Sequence, residues 1–241
     1  MVSAPLAPPL EASISDHATA DDARQRRGFG PRIRRLHGRI GRAHHQAEGM
    51  AFSRSLLNGA ATPLQLAALV RALEPAYAFL EEHAPSLAAS LGADALPWQQ
   101  LSRRAVLARD VASLAELPAT PASPAAKAWL ERLQELAERS PHRLMAHVYV
   151  RYGGDLSGGQ QLAEQANQIL AADALPPLQF WHFEQPIGAL KAALHDGFEA
   201  LTLTDDQEQE LLEESEAAFL LTQRLLAELA ELQGTASPSA A

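Results

Sequence analysis

Cysteine is absent from the 241-residue chain, which excludes disulfides, thiolate metal centres and cysteine nucleophiles together. Aromatic residues are scarce at 5%. Runs rich in valine, isoleucine and tyrosine with two-residue alternation are missing, so a sheet has little to build from. No apolar run is long enough to span a bilayer, and the N-terminus lacks the basic-then-apolar pattern of a secretory signal. A positive excess is lacking too: the formal net charge is −9, a poor balance for coating nucleic acid. The expectation is a cytoplasmic protein with no membrane segment and no nucleic-acid partner.

What is present favours helix. Apolar residues make up 47% of the chain, alanine and leucine dominate, and helical spacing recurs throughout. The length suits one sizeable domain. The expected organisation is all-α: a disordered arm over residues 1–30, a multi-helix domain over 31–233 and a flexible tail over 234–241. Eight of the twenty positive residues (Arg24, Arg26, Arg27, Arg32, Arg34, Arg35, Arg39 and Arg42) cluster where the arm meets the domain. They read either as a solvated face balancing an acidic body or as a rim for an anionic ligand.

Several helix boundaries are readable. The stretch from Gly41 runs on to Leu57, with Gly59 as a C-cap. Thr62-Pro63-Leu64-Gln65 is a capping box, and Pro75 inside its helix predicts a kink near Leu73. A helix over 97–114 turns Arg103, Arg104 and Arg109 outward and carries no evident chemistry. Ser123-Pro124 starts another to about Arg139. Thr204-Asp205-Asp206-Gln207 caps a long final helix.

The unusual stretch is Ser140–Gln160. Ser140 can cap, Pro141 suits a first turn, and Leu144, Val148 and Tyr152 recur at four-residue spacing. Gly153, Gly154, Gly158 and Gly159 then fall around Asp155 and Leu156. Each glycine inside a helix costs about 0.5–1 kcal/mol relative to alanine. Packing alone gives no reason to bear that cost, whereas access does: a backbone without side chains can lie against a flat ligand. A phosphate loop would need a preceding strand and, in its Walker form, a following lysine. A membrane helix pair would need an apolar run that Arg151 and Asp155 interrupt. A plain kink between two helices stays open on composition alone.

Gly154-Asp155-Leu156-Ser157-Gly158-Gly159-Gln160, preceded by Tyr149-Val150-Arg151-Tyr152, closely resembles the distal-helix signature of the heme oxygenases. The resemblance extends from about Leu36 to about Leu232. It implies a single-domain heme-oxygenase-like fold, with heme b sandwiched between a proximal helix and a kinked, glycine-rich distal helix. It implies cleavage of heme at a meso carbon to biliverdin, carbon monoxide and ferrous iron. The reaction uses O2 and electrons from an external donor, a ferredoxin or a flavin reductase, since the chain has no flavin or nicotinamide fingerprint. A biliverdin-accepting photoreceptor is a further implied partner.

Carried over position by position, the resemblance puts His44 of His44-His45-Gln46-Ala47-Glu48 on the iron-ligand position. Glu48, one turn on, orients its surroundings. His45 points about 100° around the helix and cannot share the role. Tyr77, Arg151 and Asp155 match the set that carries protons through ordered water, with Arg151 keeping Asp155 ionised. Tyr149, Gly154, Ser157 and Gly158 match heme-contacting positions, and the close backbone at Gly154 and Gly158 steers oxygen toward a meso carbon. Phe219 matches a heme-wall phenylalanine, though taken singly it is equally a core residue. Lys191 matches a propionate-binding position, and His195 stands where an arginine is common, a weaker and pH-dependent partner. Arg39 and Arg42 are near enough in sequence to pair with a propionate. Val150 takes the place of a hydroxyl residue, His37 and Gly41 of lysines, and Thr222 of an asparagine. Two other classes remain: a heme carrier or sensor without turnover, and a helical regulator whose basic arm binds nucleic acid.

Overall fold

The computed structural model describes residues 29–232. Of the expected arm over 1–30, residues 1–28, with Arg24, Arg26 and Arg27, lie outside those residues, as does the expected tail over 234–241. Among the described residues the regular structure is helical: α1 Pro31–Glu48, α2 Ala51–Leu57, α3 Pro63–Ser90, α4 Trp98–Leu101, α5 Arg104–Ser113, α6 Pro124–Arg139, α7 Leu144–Ser157, α8 Gly159–Ala172, α9 Ile187–Ala200 and α10 Asp205–Glu231. A 3-10 turn, Pro141–Arg143, leads into α7.

Local chemistry starts these helices. Thr62 and Gln65 exchange bonds at the head of α3, as Thr204 and Gln207 do at the head of α10. Each pair satisfies two donors that a bare helix end leaves open. Ser123 accepts from Ala126 N–H at 3.0 Å, so α6 begins where its Ser-Pro pair predicts. Pro31, Pro63 and Pro124 occupy first-turn positions, where no N–H is missed. Ser140 makes no side-chain cap.

Four boundaries depart from the sequence reading. First, α1 begins ten residues before Gly41 because another helix caps it. The Glu199 carboxylate on α9 accepts Arg32 N–H at 3.2 Å and Ile33 N–H at 2.7 Å. The Arg32 guanidinium returns a bond to Phe198 O at 2.5 Å and an ion pair to Glu208 at 2.7 Å. A Cβ on Gly30 would sit 2.2 Å from Glu199 Cδ, so this docking needs a residue without a side chain there. Second, the chain turns at Gly49–Met50 and restarts as α2, with Ser53 Oγ donating to Ala47 O at 2.7 Å. Gly59 does follow α2 with φ +68. Third, α3 continues as helix through Pro75 and Pro85 to Ser90, past the Glu81 to which its apolar spacing reads, with Leu73, Ala76 and Tyr77 buried around the first proline. Fourth, the 97–114 helix divides at Ser102–Arg103, where the Glu81 carboxylate draws in Ser102 Oγ and the Arg103 and Arg104 N–H groups.

The core is leucine and alanine with a few large rings, Tyr77, Tyr152, Phe52, Phe180 and Phe198, all fully buried. α10 is its spine, packing against α1, α2, α6 and α7, while α9 also lies against both α1 and α7. α1 and α7 scarcely touch each other; their rings meet only at one edge, where His37 and Tyr149 lie 6.2 Å apart. The two helices are thus held by shared supports, α9 and α10, rather than by one another.

Candidate active site

Every residue of α7 from Leu144 to Val150 is buried, as is Tyr152. The helix then opens: Gly153 is half-buried, and Gly154, Ser157 and Gly158 are exposed. A Cβ on Gly153 or Gly154 would meet nothing within 4 Å, and one on Gly158 only Gly154 O at 3.9 Å. Gly159 is different, because its Cβ would lie 2.6 Å from Trp181 Cδ1. The expected four-glycine ridge is therefore three glycines of access and one of packing. The next residue, Gln160, holds the same tryptophan by donating to Trp181 O at 2.8 Å. α7 ends at Ser157 and α8 starts at Gly159, so the glycine-rich element is broken as expected.

Tyr77, Arg151 and Asp155 come together beneath this open face. Tyr77 donates its hydroxyl to Asp155 Oδ2 at 2.5 Å, and Arg151 Nε–H donates to Tyr77 OH at 3.2 Å. The guanidinium lies over the Tyr77 and Trp129 rings at 5.5 and 5.4 Å from their centroids. Burial raises the Asp155 carboxyl to about 6, outweighing Arg151, the Tyr77 bond and Arg103, which all pull it down. Arg151 pulls the carboxyl toward ionisation, the direction its charge predicts, and burial outweighs it. The Arg151 guanidinium comes only within 3.9 Å of Asp155 and does not keep the carboxyl a strong acid. Burial, with Asp155 alongside, holds the Tyr77 hydroxyl protonated, so it remains the donor.

Arg103, expected to point outward, is buried. Its guanidinium donates to Ser102 O and His182 O at 2.7 and 2.5 Å and lies 4.0 Å from the centre of the Phe183 ring. Carbonyls of the Phe180–Phe183 turn thus replace water around the charge, and that charge also acts on Asp155. No spacing in the sequence distinguishes it from its exposed neighbours Arg104 and Arg109. Tyr152 donates to Glu81 at 2.9 Å, tying the break before α5 to the distal helix.

On α1, the His44 side chain is 51% exposed and its Nδ1 lies 3.6 Å from Glu48 Oε1. Nδ1 is thus the nitrogen that Glu48 engages. His45 Nδ1 is 3.7 Å from the other Glu48 oxygen, with its ring 91% exposed, so Glu48 serves both imidazoles. Phe219 of α10 is buried with its ring 5.8 Å from that of His44. Gln223 donates to Ala43 O at 2.9 Å and secures α1 beside the histidine.

At the edge where α1 and α7 meet, Tyr149 is buried against Phe198, with His195 and His37 at 6.5 and 6.2 Å. Phe29 stacks on His37 at 4.9 Å and meets His195 edge-on at 4.8 Å. Burial, then Lys191 one turn away on α9, lowers the His195 pKa. Lys191, His195, His37 and Tyr149 hence lie close together at this edge. The arginines of α1 are drawn elsewhere: Arg39 pairs with Glu216 at 2.8 Å and Arg35 with Glu208 at 3.3 Å. Thr222 Oγ1 donates back to Ala218 O at 3.1 Å, and Val150 is in the core.

The family model described as heme oxygenase matches residues 34–228. The chain is 32% identical over 196 residues to heme oxygenase 1 of Homo sapiens, a match covering 78% of this chain and 68% of that protein. A solved heme oxygenase from Leptospira interrogans superposes with a TM-score of 0.71 at 30% identity, covering 80% of this chain and 97% of that one. Heme oxygenase-2 from Synechocystis, solved in complex with heme and NO, gives a TM-score of 0.74 at 26% identity, covering 83% and 85%.

Proposed function

This chain belongs to the heme oxygenase family and is an enzyme that degrades heme, and from that premise we propose that heme lies between His44 of α1 and the open glycine face of α7. The observation that carries this reading is the empty space over Gly153 and Gly154 directly beside a buried Tyr77–Asp155 pair. A flat macrocycle needs a nitrogen on one face, a bare backbone on the other and hydrogen-bond donors at one edge. His44 offers Nε2, the three open glycines offer the backbone, and Lys191, His195 and His37 offer the edge for two propionates.

Once bound, heme supplies the iron at which oxygen is reduced and the meso carbon that is oxidised. The chain's residues do the rest. Gly154 and Gly158 would let bound heme and a small ligand approach the backbone, and a side chain there would take up that space. Asp155, titrating at about 6, gives and takes protons close to neutral pH through water at the open face. Tyr77 fixes one carboxyl oxygen, and Arg151 fixes Tyr77. Phe219 buttresses the imidazole of His44.

The proposal extends to the products biliverdin, carbon monoxide and ferrous iron. It also includes electrons from a ferredoxin or flavin reductase, transfer of biliverdin to a photoreceptor, and a cytoplasmic setting. No helix among the described residues is long and apolar enough to cross a membrane. Adding hemin should give a histidine-ligated spectrum, and ascorbate with air should convert its Soret band into a biliverdin band. Unchanged axial ligation in His44→Ala would refute the ligand assignment. Unchanged decay in Asp155→Ala would remove Asp155 from the chemistry.

A further inference from the structure

His147 lies one turn before Arg151 on α7 and is wholly buried. Both ring nitrogens are committed. Trp129 Nε1–H is 3.1 Å from Nδ1, and since an indole N–H can only donate, Nδ1 carries the lone pair. Nε2, 3.1 Å from Glu214 Oε1, then carries the hydrogen and donates it. Glu214 is itself wholly buried and accepts Arg132 at 2.6 Å and Arg143 at 2.9 Å. Burial alone would raise its carboxyl, but His147 and Arg132 hold it down at about 2. The imidazole is consequently neutral and confined to one tautomer: a proton on Nδ1 would break the tryptophan bond.

The indole passes this constraint on. Its N–H is tied to His147, its face lies under the Arg151 guanidinium at 5.4 Å, and it meets the Tyr77 ring edge-on at 6.4 Å. Arg151 and Tyr77 are the two groups that hold Asp155. We propose that His147 is a positioning residue for heme degradation: locked as a neutral imidazole between Trp129 and Glu214, it fixes the indole plane that seats Arg151 against Tyr77 and Asp155. This rests on the reading of Tyr77, Arg151 and Asp155 as the proton-carrying set.

The site demands an acceptor on one side and a donor on the other. A lysine or arginine would offer no acceptor to Trp129, and a carboxylate would repel Glu214. Leucine would leave both partners short. A glutamine amide presents the same polarity over a similar span. The charged groups facing His147 are Glu214 from α10, Arg132 from α6 and Arg151 from its own helix. Those facing Asp155 are Arg151, Tyr77 from α3 and Arg103 from the segment before α5.

The test uses the full chain without heme, so that titrations are read independently of turnover. Imidazole nitrogen NMR should find His147 in the Nε2–H tautomer from about pH 5 to about pH 8. In His147→Leu the Asp155 midpoint, followed by carboxyl carbon NMR, should rise by about one pH unit as Arg151 loosens. His147→Gln should restore it. An Nδ1–H tautomer in the wild type, or an unmoved midpoint in folded His147→Leu, overturns the proposal. If His147→Leu does not fold, Trp129→Phe keeps a ring but removes the N–H. Release of His147 Nδ1 together with a raised Asp155 midpoint then supports the role, and unchanged signals refute it. A wild type that fails to degrade heme would sink the reading of the site, whereas unmoved titrations in one that does would sink only the role of His147.

Discussion

Replacing Asp155 with asparagine should stabilise the heme-free protein, and the gain should depend on pH in one direction. The side chain keeps its shape and an acceptor for Tyr77 but can no longer ionise. In the folded chain the carboxyl titrates at about 6 against an ordinary value of 3.8. The difference, at 1.36 kcal/mol per pH unit, is about 3 kcal/mol. The pull of Arg151 is already included in it. Because the folded value is the higher one, the wild type has its full share of stability below 3.8 and loses it as pH rises through 6. The Asp155→Asn variant has no such loss. The two proteins should therefore unfold alike near pH 4 and diverge up to about pH 7. There the variant should melt about 6–12 °C higher, given 2–4 °C per kcal/mol for a chain of this size. Thermal unfolding followed by circular dichroism at several pH values reads this directly. A gap that stays constant with pH, or a variant that is less stable above pH 7, would refute the claim that burial dominates Asp155. The same variant should bind heme and fail to degrade it, so that stability is gained where proton delivery is lost.

The glycines should separate under alanine scanning. Gly154→Ala should leave the fold as stable or firmer by up to about 1 kcal/mol while weakening hemin binding. Gly159→Ala should cost about 1–3 kcal/mol through the Trp181 clash; melting curves and hemin titrations distinguish the two. His44→Ala should lose the histidine-ligated spectrum and regain it on adding imidazole, which absorption spectroscopy checks. Glu214→Ala should cost about 3–5 kcal/mol because it leaves the half-buried Arg132 and Arg143 and the buried His147 without their carboxylate. With the carboxyl held at about 2, that wild-type advantage should be full above the unfolded value of 4.5 and fade as pH falls toward 2, as urea unfolding at neutral and acid pH would reveal.

The helical class is legible in the sequence because it depends on local spacing, and the Tyr77, Arg151 and Asp155 cluster only because a run of rare composition carries the resemblance that implies it. Interactions closed by distant carbonyls or carboxylates are not. Nothing near Arg103 in sequence announces that the turn at Phe180–Phe183 will shelter it, and nothing near Pro31 says that Glu199 will cap the helix. Gly154 and Gly159 look alike in a sequence and differ only in whether Trp181 lies opposite. Arg151 reads as holding Asp155 ionised because charge proximity is visible in an i, i+4 pair, whereas the depth of burial that outweighs it is a property of the packed molecule. His147 and Glu214 do not stand out because each alone resembles an ordinary polar residue of an amphipathic helix.

α10 holds α7 at Glu214 and α1 at Phe219 and Gln223. A single inserted residue between the first two would swing everything downstream by about 100° and displace it by about 1.5 Å. The Phe219 ring would leave the imidazole, and Gln223 would miss its carbonyl. That short interval sets the register between α7 and α1, and the chain can lengthen far more safely over 119–122, between Pro118, which Arg71 bonds, and Ser123, which donates to Glu228.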